Sequence, residues 1–217
     1  MTTPADLLDV LRRVIRATRV ADLADLDFSE DVDALVRLAE RLEARRVDDV
    51  RMQSALRYNE LLDRLRGDAE PGDPVRDIGI ARFFPYSPVV GPLNPLAPPI
   101  EFTVVDTASY LEVTALFSFD PVHNGPPDAV HGGIVSAVLD ELLGSVCVVN
   151  DVAGFTGTLA VRYRAPTPLG RPVAMRAWIE RVEGRKTFAR GTFHDGETLC
   201  VEAEGIFISA PGGPVKA

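Results

Sequence analysis

The sequence predicts an α+β fold in which an antiparallel sheet wraps around one long central helix, with an N-terminal helical extension before it. Three observations predict this class. A long apolar segment with helical period begins at Gly132, alternating segments precede and follow it, and those that follow are joined by short turns. A sheet that has only one long helix to cover its apolar face is expected to curl around that helix.

Residues 1–70 form the predicted helical extension. Apolar residues recur at helical spacing from Pro4 to about Val20, and a second helical run follows Ser29, which suits an N-cap. The pattern continues less regularly from Val47 to Leu65. Acidic residues alternate with the arginines throughout, which argues against a nucleic-acid or membrane-surface helix. We expect an amphipathic extension that packs on a partner surface.

Residues 71–100 form a proline-rich connector. Its prolines and glycines prevent regular structure. Its apolar residues, such as Phe83, Phe84 and Val90, argue against a free linker, because a disordered spacer would be more polar. We expect an ordered connector that runs along the surface of the main domain.

The main domain spans residues 101–210, and residues 211–217 form a C-terminal tail. Two strands are expected before the long helix, over 101–106 and 110–119. Four strands are expected after it as a meander, over 156–165, 173–182, 186–194 and 198–209. The dipeptide Asp195-Gly196 is typical of a tight hairpin between the last two.

Composition narrows the functional classes. The formal charge of -9 argues against nucleic acid as a partner, because a polyanion requires a basic face. Cys147 and Cys200 both lie in apolar surroundings, which suits buried thiols in a reducing cytosol. The N-terminus lacks a secretory signal pattern, and no later run approaches the length and continuity of a membrane span. We therefore expect a cytoplasmic protein that does not bind a membrane. We expect no metal site, because no histidine or cysteine has a second ligand at suitable spacing.

The helix after Gly132 has two unequal faces. Wound at about 100° per residue, it has one bulky apolar face and one narrow face of small residues. This small-residue face comprises Gly133, Ser136, Ala137, Asp140, Gly144 and Cys147. A carboxylate that is buried without a partner is costly, so Asp140 needs a partner or a function. The small-residue face predicts close approach of another molecule.

The glycine pair at the start of this helix is suited to binding an oxyanion. Free backbone N–H groups lie there at the positive end of the helix dipole. Gly133 and Asp140 share a face, but seven residues separate them by roughly 10 Å along the axis. Asp140 therefore cannot attack a carbonyl that is held by Gly133 of its own chain. A two-fold dimer with antiparallel helices would bring the two groups together, which predicts composite sites at a dimer interface.

The same motif resembles a known family. His131-Gly132-Gly133 is followed by Asp140 nine residues after the histidine, then by Thr156 and the strand residues 159–166, and then by residues 182–188. This pattern resembles the hotdog-fold acyl-CoA thioesterases of the phenylacetic-acid-pathway type, especially the branch of the mammalian thioesterase superfamily members 4 and 5. The resemblance covers roughly residues 101–209.

The resemblance implies hydrolysis of an acyl-CoA or related thioester to free acid and thiol, as in fatty acid metabolism, by a homodimer or homotetramer. Gly133 would polarise the thioester carbonyl through its amide, and Asp140 of the facing subunit would act as nucleophile or general base. Thr156 would position the hydrolytic water, and His131 would orient the turn that includes Gly132. Several family members carry asparagine where this chain has Gly125, so the neighbouring Asn124 is a candidate for that polar role.

No cofactor is implied other than the coenzyme A of the substrate, whose phosphates need a basic patch. Positive charge is concentrated in the strand-rich half, and the candidates for phosphate binding are Arg162, Arg164, Arg181, Arg185 and Lys186. Ordinary exposed arginines are the alternative. Two further functions remain open: a hotdog enoyl-CoA hydratase or dehydratase with a catalytic histidine, and a non-catalytic acyl-CoA-binding protein.

Overall fold

The structure, a computed structural model, describes residues 2–46 and 80–209. The helical pattern predicted over 47–65 and the tail 211–217 lie outside these residues. The helices are α1 (Pro4–Val20), α2 (Ser29–Glu43), the single turn α3 (Ile80–Phe83) and α4 (Gly132–Val149). The strands are β1 (Thr103–Val105), β2 (Glu112–Ser118), β3 (Phe155–Tyr163), β4 (Pro172–Glu183), β5 (Lys186–Asp195) and β6 (Thr198–Ile208).

The six strands form one antiparallel sheet in the order β1-β2-β4-β5-β6-β3, and α4 packs against it. The predicted fold class is confirmed. The predicted four-strand meander is wrong, because only β4, β5 and β6 follow one another. Strand β3 pairs with β6 at the far edge of the sheet. It cannot pair with β4, since β2 occupies that edge of β4 from Val113↔Ala177 to Ser118↔Pro172.

Helix α4 is the centre of the core. Its buried side chains are Val135, Val138, Leu139, Leu142, Leu143, Ser145, Val146, Cys147 and Val149. Glycines in the sheet let the helix approach closely: a Cβ at Gly205 would lie 3.1 Å from Leu143 Cδ1, and one at Gly191 would lie 3.2 Å from Leu143 Cδ2. The C-terminal end is tied to the sheet through Asn150, whose side chain bonds to the backbone N–H and C=O of Leu111.

Two expectations about this helix need correction. With 18 residues, α4 is long and apolar enough by composition to cross a membrane, although no run was expected to approach such a span. Its packing against the sheet accounts for that composition, as for any buried core helix. The small-residue face is also shorter than predicted, because Cys147 lies fully in the core, where burial raises the pKa of its thiol. Its open part is the N-terminal half of the helix.

The described part of the connector, residues 80–100, contributes to the core and is not confined to the surface. Ile80, Phe83, Val90 and Ile100 are each only 1% exposed. The segment was predicted to lie on the domain surface because prolines exclude regular structure. An irregular backbone can still carry buried side chains when its N–H and C=O groups are hydrogen-bonded. Backbone bonds such as Phe84 N to Ile80 O and Gly91 N to Ser87 O provide that satisfaction.

Helices α1 and α2 are largely exposed. Thr3 and Asp6 form a capping box at the start of α1. Ser29 is not the N-cap of α2 as predicted but its first residue, and its amide and hydroxyl donate to Asp27 at 2.9 and 2.6 Å. The only buried residue of α1 is Arg12, which donates to the backbone carbonyls of Gly91, Pro92 and Asn94.

Candidate active site

The N-terminus of α4 is shaped by His131, the N-cap residue. Its Nδ1 accepts a hydrogen bond from the amide of Gly133 at 3.0 Å. This hydrogen bond links the His131 side chain to the glycine turn. The same bond occupies the amide that was predicted to face a substrate. Within the described residues the amide of Gly132 donates to no group, so Gly132 carries the free N–H at this end of the helix.

The loop before His131 explains why residue 125 is glycine. A Cβ at Gly125 would lie 2.6 Å from the Cα of His131, so an asparagine would displace the histidine backbone. The side-chain nitrogen of Asn124 donates to the carbonyls of Pro126 at 2.8 Å and Ala129 at 3.2 Å. Asn124 thus holds the loop in shape, and its donor is committed to the backbone.

Asp140 and Thr156 lie together. The Thr156 hydroxyl donates to Asp140 Oδ1 at 3.0 Å, joining α4 to the edge strand β3. Thr156 is exposed and Asp140 is half-buried, so the carboxylate remains open to another molecule. Both residues come from the same chain. The Thr156 hydroxyl, which was predicted to position the hydrolytic water, therefore lies next to the Asp140 carboxylate and not next to the glycine turn.

The sequence did not predict a contact between Tyr163 and Ser136 at the glycine turn. The Tyr163 hydroxyl lies 2.7 Å from the carbonyl oxygen of Gly132 and 2.7 Å from Ser136 Oγ. Tyr163 was predicted only as an apolar member of an alternating strand. The available signal was its position at the end of that strand, on the same face as Leu159 and Val161, which pack against the core.

The open part of the small-residue face adjoins a free sheet edge. Strand β3 pairs with β6 alone, so among the described residues its other edge has no strand partner. Two large side chains of this strand are exposed, Phe155 at 63% and Tyr163 at 53%. An edge strand with exposed aromatic residues is suited to pairing with another chain.

The side chains that were predicted to bind phosphate differ from one another in their partners. Arg162 pairs with Glu204 at 3.0 Å, and Arg164 pairs with Glu202, on the face of the sheet opposite α4. Arg185 donates twice to the carbonyl of Ser209, at 3.0 and 2.8 Å. Lys186 is exposed and has no ion-pair partner in the part of the chain that the structure describes.

Glu141 is the second carboxyl of α4. Burial raises the pKa of Glu141, the hydrogen bond that it accepts from the Ser87 hydroxyl at 2.7 Å lowers it, and the nearby Asp140 raises it again, with a net increase. Glu141 therefore faces the connector and not the open site.

Across residues 2–46 and 80–209, no group of three acidic, histidine or cysteine side chains could hold a metal ion.

Comparison with known proteins supports the fold and shows which family the chain resembles. Residues 128–202 match the thioesterase superfamily model. A solved structure of a thioesterase superfamily protein superposes with a TM-score of 0.77 and 25% identity over 95% of each chain. Acyl-coenzyme A thioesterase THEM4 of Xenopus laevis is 35% identical over 98 residues, 44% of each chain. The mouse (Mus musculus) protein of that name is 34% identical over 86 residues, 39% of this chain and 37% of its own.

The chain spans less than half the length of these curated relatives. The part that matches the family model contains the glycine turn, α4 and most of the strands that follow it. Over this domain, the chain has the hotdog fold and is similar to proteins of the thioesterase superfamily.

Proposed function

We propose that this protein hydrolyses an acyl-CoA or a related thioester to a free acid and a thiol. The carrying observation is the Asp140–Thr156 hydrogen bond on the open small-residue face. It leaves an acidic group next to a hydroxyl, beside a free sheet edge, where substrate and a second chain can approach. The acyl-CoA thioesterase names of the THEM4 relatives support the substrate class.

The amide of Gly132 is the better candidate for polarising the thioester carbonyl. The amide of Gly133, favoured by the sequence, donates to His131 Nδ1. The Gly132 amide is unoccupied among the described residues and lies at the positive end of α4. A donor held there would stabilise the negative charge that develops on the carbonyl oxygen.

Asp140 would supply the attacking group. As nucleophile, its carboxylate would attack the carbonyl carbon and expel the thiolate, and water would then cleave the acyl-enzyme anhydride. As general base, it would remove a proton from a water that attacks directly. In both cases the Thr156 hydroxyl, which donates to Oδ1, fixes the carboxylate and leaves its own oxygen able to hold the water.

The two halves of the site would come from different copies. Gly132 and Asp140 are eight residues apart on one helix, roughly 12 Å along the axis, too far to act on one carbonyl. Pairing of two β3 edges about a two-fold axis would cover the exposed aromatic side chains and bring the small-residue faces together. We therefore propose a homodimer as the smallest active unit, which a homotetramer would contain twice.

The hydratase alternative is less well supported. It needs a histidine that works on the substrate, whereas the Nδ1 of His131 is engaged by the Gly133 amide. A panel of acyl-CoAs with a free-thiol readout and an enoyl-CoA hydration readout separates the alternatives. Thiol release identifies the thioesterase, hydration alone identifies the hydratase, and binding without turnover identifies a binding protein.

Asp140→Asn is the decisive variant for this proposal. It should lower kcat by at least about 10³-fold, because an amide is a poor nucleophile and a poor base. Asp106→Asn is the matched control, since it neutralises an exposed aspartate in the loop after β1 and should leave kcat unchanged. An Asp140→Asn protein that releases thiol at the wild-type rate contradicts the proposed chemistry.

Gly132→Pro tests the choice of amide. Proline is tolerated at the first position of a helix, and His131 already has the extended backbone, φ -60 and ψ 130, that a residue before proline requires. The substitution deletes one N–H and should cost about 10²- to 10³-fold in kcat. Gly132→Ala keeps the N–H and should cost much less. Wild-type activity in Gly132→Pro would contradict this choice and would favour the Gly133 amide as the group that polarises the carbonyl.

Mixing the two inactive variants tests the composite site. In a heterodimer of Asp140→Asn and Gly132→Pro subunits, one site carries both defects and the other carries neither. After unfolding and joint refolding, random pairing should restore about a quarter of the wild-type activity. A site contained within one chain would show no recovery.

A further inference from the structure

The peptide group between Gly132 and Gly133 is held at both ends. Its N–H donates to His131 Nδ1 at 3.0 Å, and its carbonyl oxygen accepts from the Tyr163 hydroxyl at 2.7 Å. A peptide unit is planar, so two bonds at its opposite ends fix its rotation about the chain axis. This arrangement joins the start of α4 to the last residue of the edge strand β3.

The direction of each hydrogen bond follows from the chemistry of the groups. A carbonyl oxygen only accepts, so the single hydroxyl proton of Tyr163 points to Gly132. The Ser136 hydroxyl, 2.7 Å from the same tyrosine oxygen, must therefore be the donor in that pair. Ser136 thus holds the tyrosine hydroxyl in the orientation that meets the carbonyl.

The ring of Tyr163 packs against Gly132 at van der Waals distance. A Cβ there would lie 3.4 Å from the Tyr163 oxygen and 3.5 Å from its Cζ, so the phenol ring lies directly against the glycine. Two consecutive glycines would otherwise allow wide backbone freedom at the helix start. The ring and its hydroxyl restrict the turn from the side of β3, while His131 restricts it from the loop.

Catalysis gives this restriction a purpose. Oxyanion stabilisation depends on a donor that is already in place, and an error of about 1 Å in a reacting geometry can cost about 10²-fold in rate. The proposed donor, the Gly132 N–H, belongs to the peptide directly before the one that is held. The torsions of Gly132 link the two peptides, and the bond from the His131 amide to the His123 carbonyl at 2.8 Å holds the residue before them. Holding the peptide 132–133 therefore restricts the direction of the Gly132 amide.

We infer that Tyr163, supported by Ser136, is a positioning residue that aims the Gly132 amide at the thioester carbonyl. This inference rests on the proposed thioesterase function. Tyr163 acts through the backbone and contacts neither Asp140 nor Thr156 by a hydrogen bond. Its loss should therefore lower the rate of the chemical step more than it weakens substrate binding.

Tyr163→Phe is the direct test, because it keeps the ring and removes the hydroxyl. We expect kcat to fall about 10- to 100-fold while KM for the same acyl-CoA changes less than about twofold. Tyr110→Phe is the matched control at the opposite end of α4, next to Leu111, which bonds to Asn150, and it should leave kcat unchanged. Hydrogen exchange of the Gly133 amide, followed by NMR, should accelerate in Tyr163→Phe alone.

Ser136→Ala provides a second, independent measure. It should lower kcat by only a few-fold, and the double variant should be no slower than Tyr163→Phe, because the serine acts through the tyrosine hydroxyl. A purely structural attachment of β3 to α4 would instead lower the melting temperature and leave kcat unchanged. Wild-type kcat in Tyr163→Phe, with thiol release still dependent on Asp140, overturns the inference alone. A wild-type protein without thiol release overturns both this inference and the proposed function.

Discussion

Helices α1 and α4 have similar lengths, 17 and 18 residues, but are held in opposite ways. Nine residues of α4 are buried, eight of them apolar, whereas the only buried residue of α1 is an arginine. Helix α4 is stabilised collectively by many apolar contacts, and α1 is stabilised by a few directed polar bonds. The central helix therefore forms the core of the domain. The extension is attached to the domain by a few polar contacts that can be removed one at a time by substitution.

The attachments of α1 lead to the segments that flank the proposed site. Arg12 binds backbone carbonyls of the connector, and Arg16 pairs with Asp120 at 2.8 Å. Asp120 begins the short 3₁₀ turn Pro121–His123, and the His123 carbonyl accepts from the His131 amide at 2.8 Å. The extension therefore contacts the outer side of the loop that shapes the glycine turn.

The largest expected effect comes from the core of α4. Leu143→Ala should lower the free energy of unfolding by about 2–5 kcal/mol, because the leucine fills the space over Gly191 and Gly205 and leaves a cavity when truncated. Val14→Ala on α1, where the side chain is 41% exposed, should change it by no more than about 0.5 kcal/mol. Urea denaturation followed by circular dichroism measures both. Equal losses would contradict the contrast between the two helices.

The next effect concerns the polar attachment of α1. Arg12→Met keeps an apolar stem but removes the donors to the carbonyls of Gly91, Pro92 and Asn94. The free energy of unfolding should fall by about 1–3 kcal/mol, because the hydrogen bonds from a charged donor are lost and the Pro92 carbonyl keeps no other donor among the described residues. The neighbouring Arg13 is exposed, so Arg13→Met is a control that should stay within about 0.5 kcal/mol of wild type. A loss in both variants would point to helix propensity and not to the carbonyl contacts.

The two helices should also respond to pH in opposite directions. Burial raises the pKa of Glu141 on α4 above its ordinary 4.5, so the folded state retains a proton that the unfolded chain releases. Stability from this group is complete below about pH 4.5 and is lost as the pH rises through the folded pKa. Hydrogen bonds from Thr3 lower the pKa of Asp6 on α1, so its contribution exists above its ordinary 3.8 and is lost as the pH falls.

Urea midpoints measured between about pH 3 and pH 8 check this contrast. Glu141→Gln should be less sensitive to rising pH than wild type, because its amide can still accept from Ser87 without titrating. Asp6→Asn should be less sensitive to falling pH, by a smaller amount, since Asp6 is exposed. Parallel pH profiles for wild type and Glu141→Gln would contradict the assigned burial of Glu141.

The elements that were predicted well are those with a local pattern. The period of α4 and the alternation of β2 to β6 are readable from neighbouring residues, and so are the turns at Gly184 and Gly196. The position of β3 beside β6 was not readable, because it depends on which sheet edge is already occupied. The burial of the connector was missed for a similar reason, since proline content reports local backbone freedom and not tertiary packing.

The candidate site divides in the same way. The motif from His131 to Asp140 was visible as spacing along one chain. The hydrogen bond that engages the Gly133 amide depends on the direction of the His131 ring, and the Tyr163 contact depends on β3 lying beside α4. The glutamate partners of Arg162 and Arg164 depend on the register between β3 and β6. No single-sequence pattern carries this information.

The smallest expected effect concerns the exposed cations of the sheet. Arg162→Gln should change the free energy of unfolding by no more than about 1 kcal/mol, as for an exposed ion pair, and should leave KM for an acyl-CoA nearly unchanged because Glu204 already neutralises the arginine. Lys186→Gln should raise KM for an acyl-CoA by about threefold at low salt, since within the described residues its ammonium is free to meet a phosphate. KM for a pantetheine thioester, which lacks the nucleotide phosphates, should not change. An equal rise for both substrates would remove Lys186 from the phosphate contacts, and a larger rise in Arg162→Gln would mean that the Arg162–Glu204 pair opens to bind substrate.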